Sequence, residues 1–165
     1  MESQYARLFR RRLNSYADRL ADDLGAVRSL PNATAHSVLQ LLLAAACQAQ
    51  GMEANDLGAW GIRSLPRQWV LQHIEQLVAK TLNLDDDYEF RRLLDVYRNL
   101  DDGLVNRLVD RGLASDEEDV RDVARHHRLV TESTPRVKRI RVVMPAFVAR
   151  KKVAATAWPR METVP

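Results

Sequence analysis

The tetrapeptide Arg28-Ser29-Leu30-Pro31 returns as Arg63-Ser64-Leu65-Pro66 and, more loosely, as Arg98-Asn99-Leu100-Asp101, so one short pattern recurs at a spacing of 35 residues. The columns that follow keep their character: Leu39, Ile74 and Val109 align, as do Leu43, Val78 and Leu113, and Ala44, Ala79 and Ala114. A period of this length matches one helix-turn-helix unit of stacked α-repeat proteins, in which no unit buries its apolar face alone. The same chemistry suits any helix start. Ser or Asn caps orphan amides, and Pro is tolerated in the first turn because its missing N–H had no partner there. The pattern therefore predicts an all-α chain with three related helix starts, built either as stacked antiparallel helix pairs or as a compact bundle. The Trp, Gly, Tyr and Ala positions of the tetratricopeptide pattern are absent, and no family is invoked.

Apolar residues at steps of three and four predict about six helices. The first runs from near Ser3 to Leu24, with Phe9, Leu13, Tyr16, Leu20 and Leu24 on one stripe and Gly25 as its stop. The second, from about Pro31 to Gln50, is apolar around so much of its circumference that it belongs at the centre; Gly51 ends it. Between Glu53 and Arg63, the spacing of Gly58 and Gly61 around Trp60 predicts a short helical turn or loop with the indole against the body. A third helix covers Ser64 to about Leu82, presenting Val70, Ile74, Leu77 and Val78. A fourth follows a cap at Asp85 or Asp86 and runs to Asn99 with Phe90, Leu93, Leu94 and Tyr97 inward. A fifth spans Asp102 to Arg111 with Gly112 as its C-cap, and Ser115-Asp116-Glu117-Glu118 reads as a capping box opening a sixth through about Arg128.

Charge divides the chain into a helical domain, 1–133, and a basic, partly apolar arm, 134–165. The arm holds Arg136, Lys138, Arg139, Arg141, Arg150, Lys151, Lys152 and Arg160 against Glu162 alone, a net of +7. Of the whole-chain +3, this leaves −4 for positions 1–133. Pro135, Pro145 and Pro159 prohibit a long helix there, and Val137, Ile140, Val142 and Val143 favour extended backbone, with one short strand or a helical turn near Phe147 to Ala155. Val142, Val143, Phe147, Val148 and Trp158 are too apolar for a typical disordered tail, so the arm is expected to dock on its own body, another subunit or a different partner.

With 46% hydrophobic and 28% charged residues the composition is that of an ordinary soluble domain. The run Val38 to Ala49 is interrupted by Gln40 and Gln48 and falls short of the roughly 20 residues a membrane span requires. No apolar signal core follows Arg10-Arg11-Arg12, and Asp18, Asp22 and Asp23 are unlike a transit peptide, so cytoplasm is the expected compartment. The single cysteine, Cys47, sits in an apolar run and reads as a buried structural thiol.

Nothing in the sequence has catalytic, metal or nucleotide spacing, so no enzyme, cofactor or metal is expected. His126 and His127 are adjacent, and neighbours on a helix point about 100° apart, which disfavours joint chelation. His36 and Cys47 would be separated by about 16 Å of helix rise. His73 beside Trp69 at i,i+4 reads as packing, and Asp85-Asp86-Asp87 as helix capping. Two functional classes fit. The first is a non-catalytic interaction module that binds a protein partner or itself, with the arm as docking segment. The second is a nucleic-acid-associated protein in which Arg136, Lys138, Arg139, Arg141, Arg150, Lys151 and Lys152 pair with phosphates while Phe147 or Trp158 stacks on bases. No small-molecule substrate and no membrane partner is expected.

Overall fold

The computed structural model describes residues 3–133, and the arm from Thr134 onward lies outside the described residues. Helix α1 spans Gln4–Asn14, a 3-10 helix Leu24–Ser29, α2 Asn32–Cys47, α3 Met52–Ser64, α4 Arg67–Thr81, α5 Asp87–Arg98, α6 Asp102–Leu113 and α7 Glu118–Ser133. The described residues are all-helical with no strand, and the count exceeds the expected six by the 3-10 helix and α3. No helix among them is long and apolar enough to cross a membrane.

The recurring tetrapeptide marks the junction before α2, α4 and α6, which begin at Asn32, Arg67 and Asp102, 35 residues apart. Its second residue does not cap the next helix. The Ser29 hydroxyl donates to the Ala26 carbonyl (2.7 Å), Ser64 to Trp60 (3.0 Å) and the Asn99 amide to Asp95 (2.9 Å), so each closes the preceding helix instead. The leucine follows with the same tight turn, its N–H bonded to the carbonyl of Val27, Ile62 or Tyr97 at 3.2, 3.3 and 2.9 Å. Pro31, Pro66 and Asp101 are then the N-caps; only Asp101 caps through its side chain, accepting from Gly103 N–H at 2.9 Å.

The first predicted helix stops early, at Asn14. Its terminal polar side chains compete with the ladder: Asn14 Oδ1 accepts from Ala21 N–H at 2.8 Å, and the Ser15 hydroxyl donates to the Arg12 carbonyl at 2.7 Å. The chain then turns through Arg19, at φ 54°, and still buries Leu20 and Leu24 of the predicted stripe. The expected short helical turn or loop over 53–63 is a full helix of 13 residues, because its glycines serve close packing rather than a break. A Cβ at Gly58 would press on the Ala46 backbone nitrogen and lie 2.7 Å from the Leu42 carbonyl oxygen, so α3 crosses α2 backbone to backbone. Gly112, expected as a C-cap, lies inside α6, where a side chain would collide with Phe90 and approach Ala124. The predicted capping box also differs: Ser115 Oγ accepts from Glu117 N–H at 3.2 Å, forming a turn ahead of α7.

Helix α2 is the hub, packing against the 3-10 helix, α3, α4 and α5, with Val38, Leu39, Leu42 and Leu43 fully buried. Helix α6 packs on α5 and α7, and α1 on α3. Helix α4 meets α6 through Arg107 to Glu75 (2.9 and 3.1 Å) and meets the α5–α6 junction through Arg67 to the Leu100 carbonyl (2.8 and 3.1 Å). The described hydrophobic core lies between Ala6 and Ala124.

One buried polar side chain completes α2. Asn55, on α3 and 3% exposed, aims its amide at the last turn of α2, donating to the carbonyls of Ala45 (3.3 Å), Ala46 (3.1 Å) and Ala49 (2.7 Å). The Tyr88 hydroxyl also donates to Ala49 at 2.7 Å. The chain thereby satisfies helix-end carbonyls that a glycine cap would otherwise help satisfy.

Candidate functional site

Short loops fold α5, α6 and α7 up, down and up, leaving α5 and α7 side by side and parallel over an open groove of about 560 Å³. Helix periodicity sets its cross-section. Leu94 from α5 and Val123 and Val130 from α7 supply the apolar floor. Asp87, Arg91, Asp95 and Arg98 form one wall and Asp119, Asp122 and His126 the other. Leu129 and Val130, on the last turns of α7 before the arm, are 61% and 41% exposed, an unusual outlay of apolar surface beside a groove.

The walls are charged but loosely paired. Arg91 meets Asp87 at 3.4 Å, Arg98 meets Asp95 at 3.7 Å and Arg125 meets Asp122 at 2.6 Å, all between exposed side chains. Such pairs contribute about 0–1 kcal/mol each and can be exchanged for a ligand's charges at little cost. The surroundings are acidic: residues 81–133 hold eight Arg or Lys against fourteen Asp or Glu, a net of −6. Residues 3–80 hold nine against six, a net of +3. A smaller depression of about 380 Å³ around Asp85, Asp116 and Glu117 extends the acidic surface toward the N-terminal ends of α5 and α7.

His127 sits at the base of the groove, and His126 faces solvent, as their helical phase requires. Arg98 Nε donates to His127 Nε2 at 3.2 Å, which needs the neutral ring. Burial first, and then the Arg98 charge, hold the His127 pKa below the ordinary histidine value. Between α2 and α4 the structure joins residues that sequence reasoning kept apart. His36 of α2 and His73 of α4 lie Nε2 to Nδ1 at 3.2 Å, and Trp69 covers His73 at a ring separation of 4.9 Å. Burial, then His36, lowers the His73 pKa. The only sequence signal for this pair was that both helices follow the recurring tetrapeptide.

Among the described residues, no group of three or more His, Cys, Asp or Glu could hold a metal ion. Cys47 is buried and its thiol is pushed up to about 12, chiefly by burial, so it carries no thiolate at neutral pH. Trp60 and Trp69 pack partly buried against the core, and the 38%-exposed Tyr88 is bonded to Ala49. Arg136, Lys138, Arg139, Arg141, Phe147, Arg150, Lys151, Lys152 and Trp158, the predicted binding residues, lie outside the described residues. No protein-family model, curated protein or solved structure matches the chain.

Proposed function

We infer that the protein is a non-catalytic helical interaction module whose α5/α7 groove receives an extended protein segment carrying both basic and apolar side chains. The observation that carries this reading is the groove itself, with an apolar floor of Leu94, Val123 and Val130 between walls rich in aspartate. An occupant with Val, Ile or Phe on one side and Lys or Arg on the other would bury the floor and replace the weak wall pairs.

The test uses a fluorescent peptide with the sequence of residues 136–152 and a chain ending at Ser133, which retains the described core. Fluorescence anisotropy should report saturable binding that weakens with salt. Asp95→Asn with Asp122→Asn should weaken it about tenfold, two screened charge contacts of about 0.7 kcal/mol each. Absence of saturable binding at low salt would sink the reading.

A second reading rests on the arm's composition: eight Arg or Lys against one acid suit phosphate contacts, while the −6 of residues 81–133 disfavours them on that face. It requires full-length protein to bind duplex DNA with a log-log salt slope of about −0.9 per neutralised phosphate, and the chain ending at Ser133 to bind none.

A further inference from the structure

We propose that the groove between α5 and α7 is occupied by the chain's own arm, residues 136–152, docked in cis on the helix pair from which it emerges. This deepens the reading above and rests on it. Three observations converge on this occupant. The first is position: α7 forms one wall of the groove and ends at Ser133, immediately before the arm, with Leu129 and Val130 exposed on its last turns. A segment starting there meets apolar surface within its first residues.

The second is reach. Asp119, near the far end of the groove, lies 14 residues before Ser133, about 21 Å along the helix at 1.5 Å per residue. Extended chain advances about 3.3 Å per residue, so about seven residues cover that length. Arg136 to Arg141 therefore reach the aspartates of the groove walls, and Arg150 to Lys152 reach the acidic ends of α5 and α7 with slack. The third is charge. The arm's +7 faces the −6 of residues 81–133, and its cations are interleaved with Val137, Ile140, Val142, Val143 and Phe147, which match the floor.

The choice of cis over a second copy follows from tethering. A direct covalent tether at Ser133 holds the arm at an effective concentration of about millimolar, far above that of a second chain at about micromolar protein.

Paramagnetic NMR on the full chain tests this. A spin label on Ala155→Cys attaches selectively, because Cys47 is buried. The expected result is loss of amide signal along α5 and α7, recovered at high salt and reduced by Asp95→Asn with Asp122→Asn. A mixture of isotope-labelled, unmodified protein with spin-labelled, unlabelled protein should show no such loss. Signal loss confined to the mixture assigns the groove to a second copy's arm and overturns the proposal, as does unbroadened α5 and α7 in the labelled chain. In the latter case, peptide binding by the chain ending at Ser133 separates the two failures: if it persists, the groove takes another protein's segment; if it is absent, the groove reading falls as well.

Discussion

Replacing Asn55 with alanine removes a buried amide that α3 aims at the carbonyls at the end of the central helix. Its amide faces three carbonyl oxygens at 2.7–3.3 Å but has two hydrogens, so at most two bonds act at full strength and the third is shared. Two buried amide–carbonyl bonds contribute about 1–3 kcal/mol, and the desolvated carbonyls left behind add about 1–3 kcal/mol more. Tyr88 still reaches Ala49 and Arg92 approaches Ala46 at 3.5 Å, so the second contribution is only partly realised. The expected loss is about 2–4 kcal/mol in urea unfolding followed by circular dichroism. Asn55→Asp sharpens the test, because it keeps the shape while turning the donor into an acceptor aimed at oxygens. It should cost more than alanine at neutral pH. The buried carboxyl would titrate above its unfolded value of about 3.9, so this extra cost grows as pH rises from there through the folded pKa and vanishes in acid. A loss below about 1 kcal/mol for Asn55→Ala, or an aspartate no worse than the alanine, would refute the capping argument.

Gly58→Ala pits helix propensity, which favours alanine by about 1 kcal/mol, against the backbone contact with α2. The contact should win, because the obstructing atoms are backbone; thermal unfolding should fall for Gly58→Ala and stay within about 0.5 kcal/mol for Gly51→Ala, whose Cβ meets nothing. His73 and His127 both have lowered pKa values, so the unfolded chain binds more protons once the pH drops below about 6.5. Stability should therefore decline from pH 7 toward pH 5, with a shallower slope in His73→Gln/His127→Gln; a flat or rising profile in the unsubstituted protein would contradict the burial argument.

What was legible in the sequence was the part written in hydrophobic period and caps. The centrality of α2 follows from an apolar circumference, and Asp86, one of the two expected caps, caps α5 through its side chain; the cap of α6 falls on Asp101 rather than on the expected Asn99. Glycine misleads at Gly25, expected to stop the first helix but lying within the 3-10 helix, and at Gly58 and Gly112 for one shared physical reason. Its lack of a side chain serves equally to end a helix and to let two helices touch, and only the partner's position distinguishes the uses. Gly58 meets α2 and Gly112 meets Phe90, partners that no local pattern names. The Ser29 and Ser64 hydroxyls were assigned to the wrong helix because either neighbour offers them a bond. Asn55 and the His36–His73 contact were invisible, since both depend on helix crossings. The groove shares that status: Leu94 is inward as expected, but its juxtaposition with Val123 comes from α6 folding between the two helices in sequence.

The acidity of residues 81–133 has two origins, and only one bears on binding. Asp86 and Asp101 cap helices, while Asp87, Glu89, Asp102, Glu118 and Asp119 occupy first turns, where negative charge complements the helix dipole. These residues have a reason to be acidic whether or not anything binds. Asp95 lies in the last turns of α5 and Asp122 beyond the first turn of α7, where the dipole gives little or no advantage, yet both line the groove. Among the carboxylates that line the groove, theirs are the charges that helix-start chemistry leaves unexplained. Neutralising Asp95 and Asp122 should therefore separate recognition from folding, whereas substitutions at Asp86 or Asp101 would weaken helices and confound the two.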